Sequence, residues 1–174
     1  MFRKVTYWYG RLLSWLLAAS VAILVFPVSL QIFSRYTALI PSYIWTEEMA
    51  RFFFIWSILL GAMVGIREGT HFVVDLWPRL NSRPQAALRL VAAVFVLVFA
   101  CVFLWWGIDF TRFALNRISE LAELPLWMIH IPWPIAGVTW GLFLGEQMWD
   151  DLRILAGKPP RNPPDPMSHG LSSV

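Results

Sequence analysis

Four long apolar stretches fill most of the chain, and almost every charge falls between them. Residues 12–34 run from Arg11 to Arg35 without an ionisable group, and 90–108 and 124–145 carry no Asp, Glu, Lys or Arg. A fourth stretch, 52–66, is shorter and opens behind the charged patch Trp45-Thr46-Glu47-Glu48-Met49-Ala50-Arg51. At 1.5 Å rise per residue, 12–34 reaches roughly 35 Å and 90–108 about 28 Å, close to the thickness of a bilayer's hydrocarbon core. Residues 52–66 alone reach about 22 Å, and extending the helix back to Trp45 supplies the rest. A soluble helix keeps a polar face, and 12–34 offers none. Apolar residues make up 58% of the sequence, with a mean hydropathy of +0.60, against about 45–50% in soluble domains. The expected fold is all-α and integral to a membrane, with four transmembrane helices.

The spans are expected at about 12–34, 45–67, 88–109 and 125–147, within one membrane domain covering 1–156. The first apolar run exceeds the 7–15 residues of a cleaved signal peptide, so it reads as an uncleaved anchor. The fourteen Lys and Arg residues divide unevenly among the gaps. Arg3, Lys4 and Arg11, then Arg67, Arg79, Arg83 and Arg89, then Arg153, Lys158 and Arg161 fall on one side; Arg35, Arg51, Arg112 and Arg117 fall on the other. The positive-inside bias therefore places both termini in the cytoplasm. Residues 70–89 are amphipathic and are expected along the cytoplasmic interface, with Pro84 helping to restart the next helix. Pro125, Pro132 and Pro134 predict an irregular start to the fourth helix. The Pro-rich tail, 157–174, has no periodic apolar face and is expected to be disordered.

No segment outside the spans exceeds roughly twenty residues, well short of the ~50 of a small folded domain. Cys101 is the lone cysteine, so an intrachain disulfide and a thiolate metal site are excluded. The net charge of +3 follows from membrane orientation and gives no signature of nucleic-acid binding.

Three constellations could carry function. Thr46 stands where an N-cap belongs, and Glu47 and Glu48 suit the positive end of the helix dipole. Arg51 can pair with either carboxylate at helical spacing. This patch is either a capped interfacial helix start or a docking point for another subunit, since ionisable groups at membrane depth face protein and have partners. Ser57, Gly61, Gly65 and Gly69 recur every four residues, a ridge along which another helix can approach, inside this bundle or from a partner. Arg67, His71 and Asp75 recur at the same interval at the cytoplasmic end; they suit a hydrogen-bonded polar ladder better than a metal site, which wants three or four ligands.

No catalytic, cofactor-binding or metal-ligating set emerges. A haem needs axial ligands at similar depth, and His71 and His130 are expected at opposite ends, roughly 30 Å apart. An autonomous carrier normally leaves charged residues within its spans. Here Gln31 is the lone strongly polar group between the end turns.

The ordered residues Gln31-Ile32-Phe33-Ser34-Arg35-Tyr36, the patch from Trp45 to Arg51, Trp56, Gly61 and Arg67-Glu68-Gly69-Thr70-His71-Phe72-Val73-Val74-Asp75 resemble the DctQ-type small membrane subunit of tripartite ATP-independent periplasmic (TRAP) transporters. Leu124-Pro125-Leu126-Trp127 and Pro134 are similar to the same family's lead into its fourth helix. The resemblance implies a non-enzymatic scaffold subunit in the bacterial cytoplasmic (inner) membrane. It implies a separate large membrane subunit of about twelve helices that binds sodium and moves the substrate, and a periplasmic substrate-binding protein that delivers an organic acid. Gln31, Arg35, Trp45, Glu47, Glu48, Arg51, Ser57, Gly61 and Gly65 are then the candidates for the partner-subunit interface. The alternative from another class is a membrane anchor for a respiratory or redox enzyme.

Overall fold

The computed structural model describes residues 2–37, 45–68, 82–119 and 123–157. Helix α1 spans Phe2–Tyr36, α2 Trp45–Glu68, α3 Ser82–Ala114, α4 Trp127–His130 and α5 Pro132–Leu155. Four helical runs are long and apolar enough to cross a membrane, α4 and α5 together making the fourth. Helices α1 and α3, at 35 and 33 residues, measure roughly 50 Å and overshoot the hydrocarbon core. They extend past the apolar runs because the bilayer limits where charges sit, while helical hydrogen bonding continues into the interface. The later part of the amphipathic stretch is the start of α3, with Pro84 in its first turn, where its missing N–H costs nothing. Residues 70–81, and the tail from 158, lie outside the described residues.

The helices stand in a row. Helix α1 packs on α2, α2 on α5 and α5 on α3, with α4 seated between α3 and α2. The inner members are better covered: 28% of the apolar stretch of α2 and 39% of that of α4–α5 are buried, against 11% for α1 and for α3. Contacts fix the directions. Ser20 meets Ser57 at 2.9 Å and Gly10 lies under Arg67, so α1 and α2 are antiparallel. Gly107 meets Pro134 and Gly137 meets Leu104, so α3 and α5 are antiparallel too. The indole N–H of Trp56 donates to the Met128 carbonyl at 3.0 Å, and the Gln147 amide donates to the Ile66 carbonyl at 2.7 Å. Hence α2 and α5 run parallel, and the start of α1 shares one end of the bundle with the end of α5.

The tightest seam joins α3 and α5. Ala86, Ala93, Ala100, Gly107 and Ala114 fall on every seventh residue of α3, and all are buried. Seven residues at 100° each return to nearly the same direction, so these positions form one small-residue stripe along the helix. A Cβ on Gly137 of α5 would stand 2.7 Å from the Leu104 nitrogen and 2.8 Å from the Ala100 carbonyl oxygen. One on Gly107 would stand 2.8 Å from the Pro134 nitrogen. Backbone meets backbone there, the geometry that small residues allow in membranes. Above the seam Phe99 and Phe103 pack on Trp140, and Phe103 on Trp133.

Two polar links tie the row together. Thr139 donates its hydroxyl to the Ile135 carbonyl, so Tyr9 of α1 is the donor in the 2.8 Å bond between Tyr9 Oη and Thr139 Oγ1. Arg89 of α3 pairs with Asp151 of α5 at 3.0 Å, with the Asp151 side chain 11% exposed.

Gly137→Leu is expected to open the α3–α5 seam and cost about 1–3 kcal/mol, the range for overpacking. Gly141→Leu, where nothing lies within 4 Å, is expected to be neutral; thermal unfolding of the two variants in detergent makes the comparison. Asp151→Ala leaves Arg89 half buried and alone and is expected to cost about 1–3 kcal/mol, between a surface and a buried pair. Arg89→Met in the same chain should restore part of that loss, and a double-mutant cycle measures it.

Candidate functional site

The end of the bundle away from the start of α1 carries a charged recess. Helix α2 begins at Trp45, so Thr46 stands inside the first turn and not ahead of it as an N-cap; its side chain is buried. Glu47 and Glu48 occupy the first turn, as the helix dipole favours. The two carboxylates part company. Glu47 pairs with Arg51 at 3.7 Å, both side chains about 60% exposed, a contact that water and salt leave weak. Glu48 turns inward and accepts a hydrogen bond from the Ser119 hydroxyl.

Ser119 belongs to a small hairpin between α3 and α4. Ile118 bridges antiparallel to Pro125, Ser119 N–H donates to the Leu124 carbonyl at 2.8 Å, and Leu126 N–H to the Arg117 carbonyl at 3.0 Å. Pro125 fits because its missing N–H falls where no ladder bond is needed. The return of the chain uses Glu123 at φ 52°, a left-handed conformation uncommon outside glycine and asparagine. Glu48 therefore ties the head of α2 to this hairpin, across 71 residues of sequence.

Between them lies an open recess of about 480 Å³, lined by Glu48, Arg51, Arg117, Ile118, Ser119, Leu126 and Ile129. Among the described residues two guanidiniums, one carboxylate and the Ser119 hydroxyl share its walls, with Ile118, Leu126 and Ile129 as the aliphatic part. Arg117 lies 4.0 Å over the Phe113 ring, which holds the cation by its face and leaves its N–H edge for other acceptors. Such a recess can receive an acidic or amphipathic side chain.

The remaining candidates scatter. Trp45, Gln31 and Arg35 are exposed at the same end. Ser57 faces α1, hydrogen-bonded to Ser20, which also donates to the Phe53 carbonyl at 3.3 Å. Gly61 faces α1 as well, where an added Cβ would meet Leu17 at an ordinary 3.8 Å; Gly65 is half buried on α2. Arg67 lies at the opposite end, 5.3 Å over the Tyr7 ring. His71 and Asp75, the rest of the expected ladder, and Gly69 lie outside the described residues. His130 stacks on Phe110 at 5.9 Å. Among the described residues no three His, Cys, Asp or Glu side chains group as metal ligands do.

The Glu48–Ser119 and Arg89–Asp151 pairs escaped the sequence reading. Helical spacing shows which residues share a face of one helix, while these links depend on which helices become neighbours. The seventh-residue stripe of α3 was the legible signal for the second, because it fixes the register that brings Arg89 beside Asp151.

Comparison with known proteins matches this architecture to one family. Residues 24–154 match the profile of the DctQ component of tripartite ATP-independent periplasmic transporters. The chain is 29% identical to the sialic acid TRAP transporter small permease protein SiaQ of Vibrio cholerae, over 82% of this chain and 80% of that one. It is 30% identical to the isethionate TRAP transporter permease protein DctMQ of Oleidesulfovibrio alaskensis, over 77% of this chain and 22% of that protein. It is 26% identical to the C4-dicarboxylate TRAP transporter small permease protein DctQ of Rhodobacter capsulatus, over 53% of this chain and 42% of that one. These relatives give no support to a redox-enzyme anchor. The chain belongs to the DctQ family, a transporter component and not an enzyme.

Proposed function

We propose that the chain is the static small subunit of a sodium-driven TRAP transporter in the bacterial cytoplasmic membrane, bracing a large subunit that carries an organic acid. The supporting observation is where polarity sits. Among the described residues the charged contacts lie at the two ends of the bundle, and the buried hydroxyls of Ser20 and Thr139 are bonded inside it. A conduit for ions or carboxylates normally exposes polar groups along its path. Substrate and sodium are therefore assigned to the partner. The fused relative DctMQ, of which this chain matches 22%, is consistent with a small unit working beside a larger one.

Both termini are assigned to the cytoplasm on the arginine bias, which turns the charged recess toward the periplasm. There the recess and the exposed ends of α1 and α2, with Gln31, Arg35, Trp45, Glu47 and Arg51, would meet the partner subunit or the substrate-binding protein. The α1–α2 pair is assigned much of the partner contact. Its outer side carries an apolar groove of about 180 Å³ lined by Leu16, Ser20, Ile23, Phe53, Trp56 and Leu60, among others.

Affinity purification of this chain from cells expressing the whole transport system, in mild detergent, should recover a large polytopic membrane protein without haem or quinone. Recovery of the chain alone, or sodium-driven uptake by the chain alone in liposomes, would contradict the brace. Glu48→Lys is expected to lower organic-acid uptake at least severalfold while membrane insertion is retained, because it breaks the tie to Ser119 and puts a third cation beside Arg51 and Arg117; wild-type uptake would show the recess to be idle.

A further inference from the structure

At the end of the bundle where α1 begins and α2 finishes, two arginines lie against aromatic rings on one exposed face. Arg67 leaves the last turn of α2 and crosses α1, its guanidinium carbon 5.3 Å from the Tyr7 ring centroid. Its side chain fills the space that a Cβ on Gly10 would need. Arg11, one residue along α1 from Gly10, lies 6.0 Å from the Trp8 ring centroid. Tyr7, Trp8, Leu12 and Trp15 around them are 53%, 66%, 54% and 69% exposed. At 100° per residue Tyr7, Arg11 and Trp15 fall within about 80° of one another, and they cover about 12 Å along the axis.

We propose that Arg11 and Arg67 grip the phosphate of an anionic glycerophospholipid, with Tyr7, Trp8 and Trp15 seating its glycerol and the first methylenes of its chains. Three features favour that occupant. A guanidinium held by its face against a ring keeps its N–H edge free for bidentate contact with phosphate oxygens. Among the described residues neither arginine meets a carboxylate at ion-pair distance. Such a carboxylate would neutralise the site or serve the ammonium of a zwitterionic headgroup. Among the described residues the charge around these two rings is therefore positive, which suits a net negative headgroup. The arginines sit at the polar end of a face whose far end is Leu12 and Trp15, the order of headgroup and acyl chain, and aromatic belts mark that depth. A soluble anion has no use for the apolar half. Gly10 acquires a reason in this arrangement, since any side chain there would push Arg67 off the face.

The test is native mass spectrometry of the full chain in mild detergent with equimolar dioleoyl phosphatidylglycerol and dioleoyl phosphatidylcholine, paired with melting measurements in the same lipids. The wild type should retain phosphatidylglycerol preferentially and melt higher in its presence. Arg11→Gln and Arg67→Gln should each reduce that retention about fivefold, the contribution of one basic group near an anionic surface. The double variant should lose the preference, and Gly10→Leu should act in the same direction as Arg67→Gln. Arg35→Gln and Arg112→Gln, at the other end, should leave it intact. Equal retention of the two lipids by the wild type overturns the proposal, as does a preference that survives the double variant. A melting shift reproduced by millimolar inorganic phosphate alone overturns it too, since a free-anion site needs no lipid. Arg11 is exposed, so its variant decides the matter if Arg67→Gln fails to fold.

Discussion

Backbone-to-backbone contact between α3 and α5 sets the geometry that the rest of the molecule follows. In a bilayer, apolar side chains gain little by leaving lipid for one another, so close packing has to come from small residues and from polar links. Gly137 against Ala100 and Leu104, and Gly107 against Pro134, bring these helices nearer than any larger residue would permit. Once that register is fixed, Arg89 must lie beside Asp151, and the α3–α4 hairpin must close over the opposite end. Helix α5 can then offer its other side to α2, through Gln147 and Ile66, and α2 in turn carries α1. A row results in place of a closed four-helix square.

The row has an electrostatic logic. Several hydroxyl and indole groups find partners inside it, as Tyr9 does with Thr139 and Trp56 with Met128, which suits a medium without water; the buried Trp140 indole N–H has none among the described residues and packs against Phe99 and Phe103. Charges collect at the two rims, where water and headgroups solvate them. The rims are nevertheless different. One holds the half-buried Arg89–Asp151 pair and the ring-stacked Arg11 and Arg67. The other holds a recess whose carboxylate, Glu48, is structurally committed to Ser119 while Arg51 and Arg117 line the opening.

The four long apolar helices were legible in the chain, because a bilayer imposes a length on each apolar run and excludes charge from it. The proline-broken start of the fourth span was legible for the same reason: Pro132 and Pro134 cannot continue a helix through their own N–H, and the structure divides there into α4 and α5. Neighbour relations were harder. The glycines spaced by four on α2 drew attention, yet Gly61 makes only an ordinary contact with Leu17. The small-residue stripe of α3 was not among the patterns singled out, and it lines the backbone-to-backbone seam with α5. Four-residue spacing is common by chance in apolar helices, whereas five small residues in step every seventh position mark one continuous line of contact. Pairings such as Glu48 with Ser119 depend on tertiary register, which no local pattern encodes.

A row of helices has consequences that a square bundle does not. Its outer members keep most of their apolar surface uncovered: Trp15, Phe26 and Phe33 on α1, and Phe95, Trp105 and Phe113 on α3, are each more than 60% exposed. Lipid can satisfy such surface, and so can another membrane protein, without any change in the row itself. Lateral attachment at a flank therefore requires no rearrangement of α2 or α5, which are the better covered members of the row. A brace needs that property, because an element that repacked each time its partner moved could not serve as a fixed reference. Rigidity in this reading follows from the α3–α5 seam and the rim pairs, and the adaptable surface is left to helices that stabilise little else.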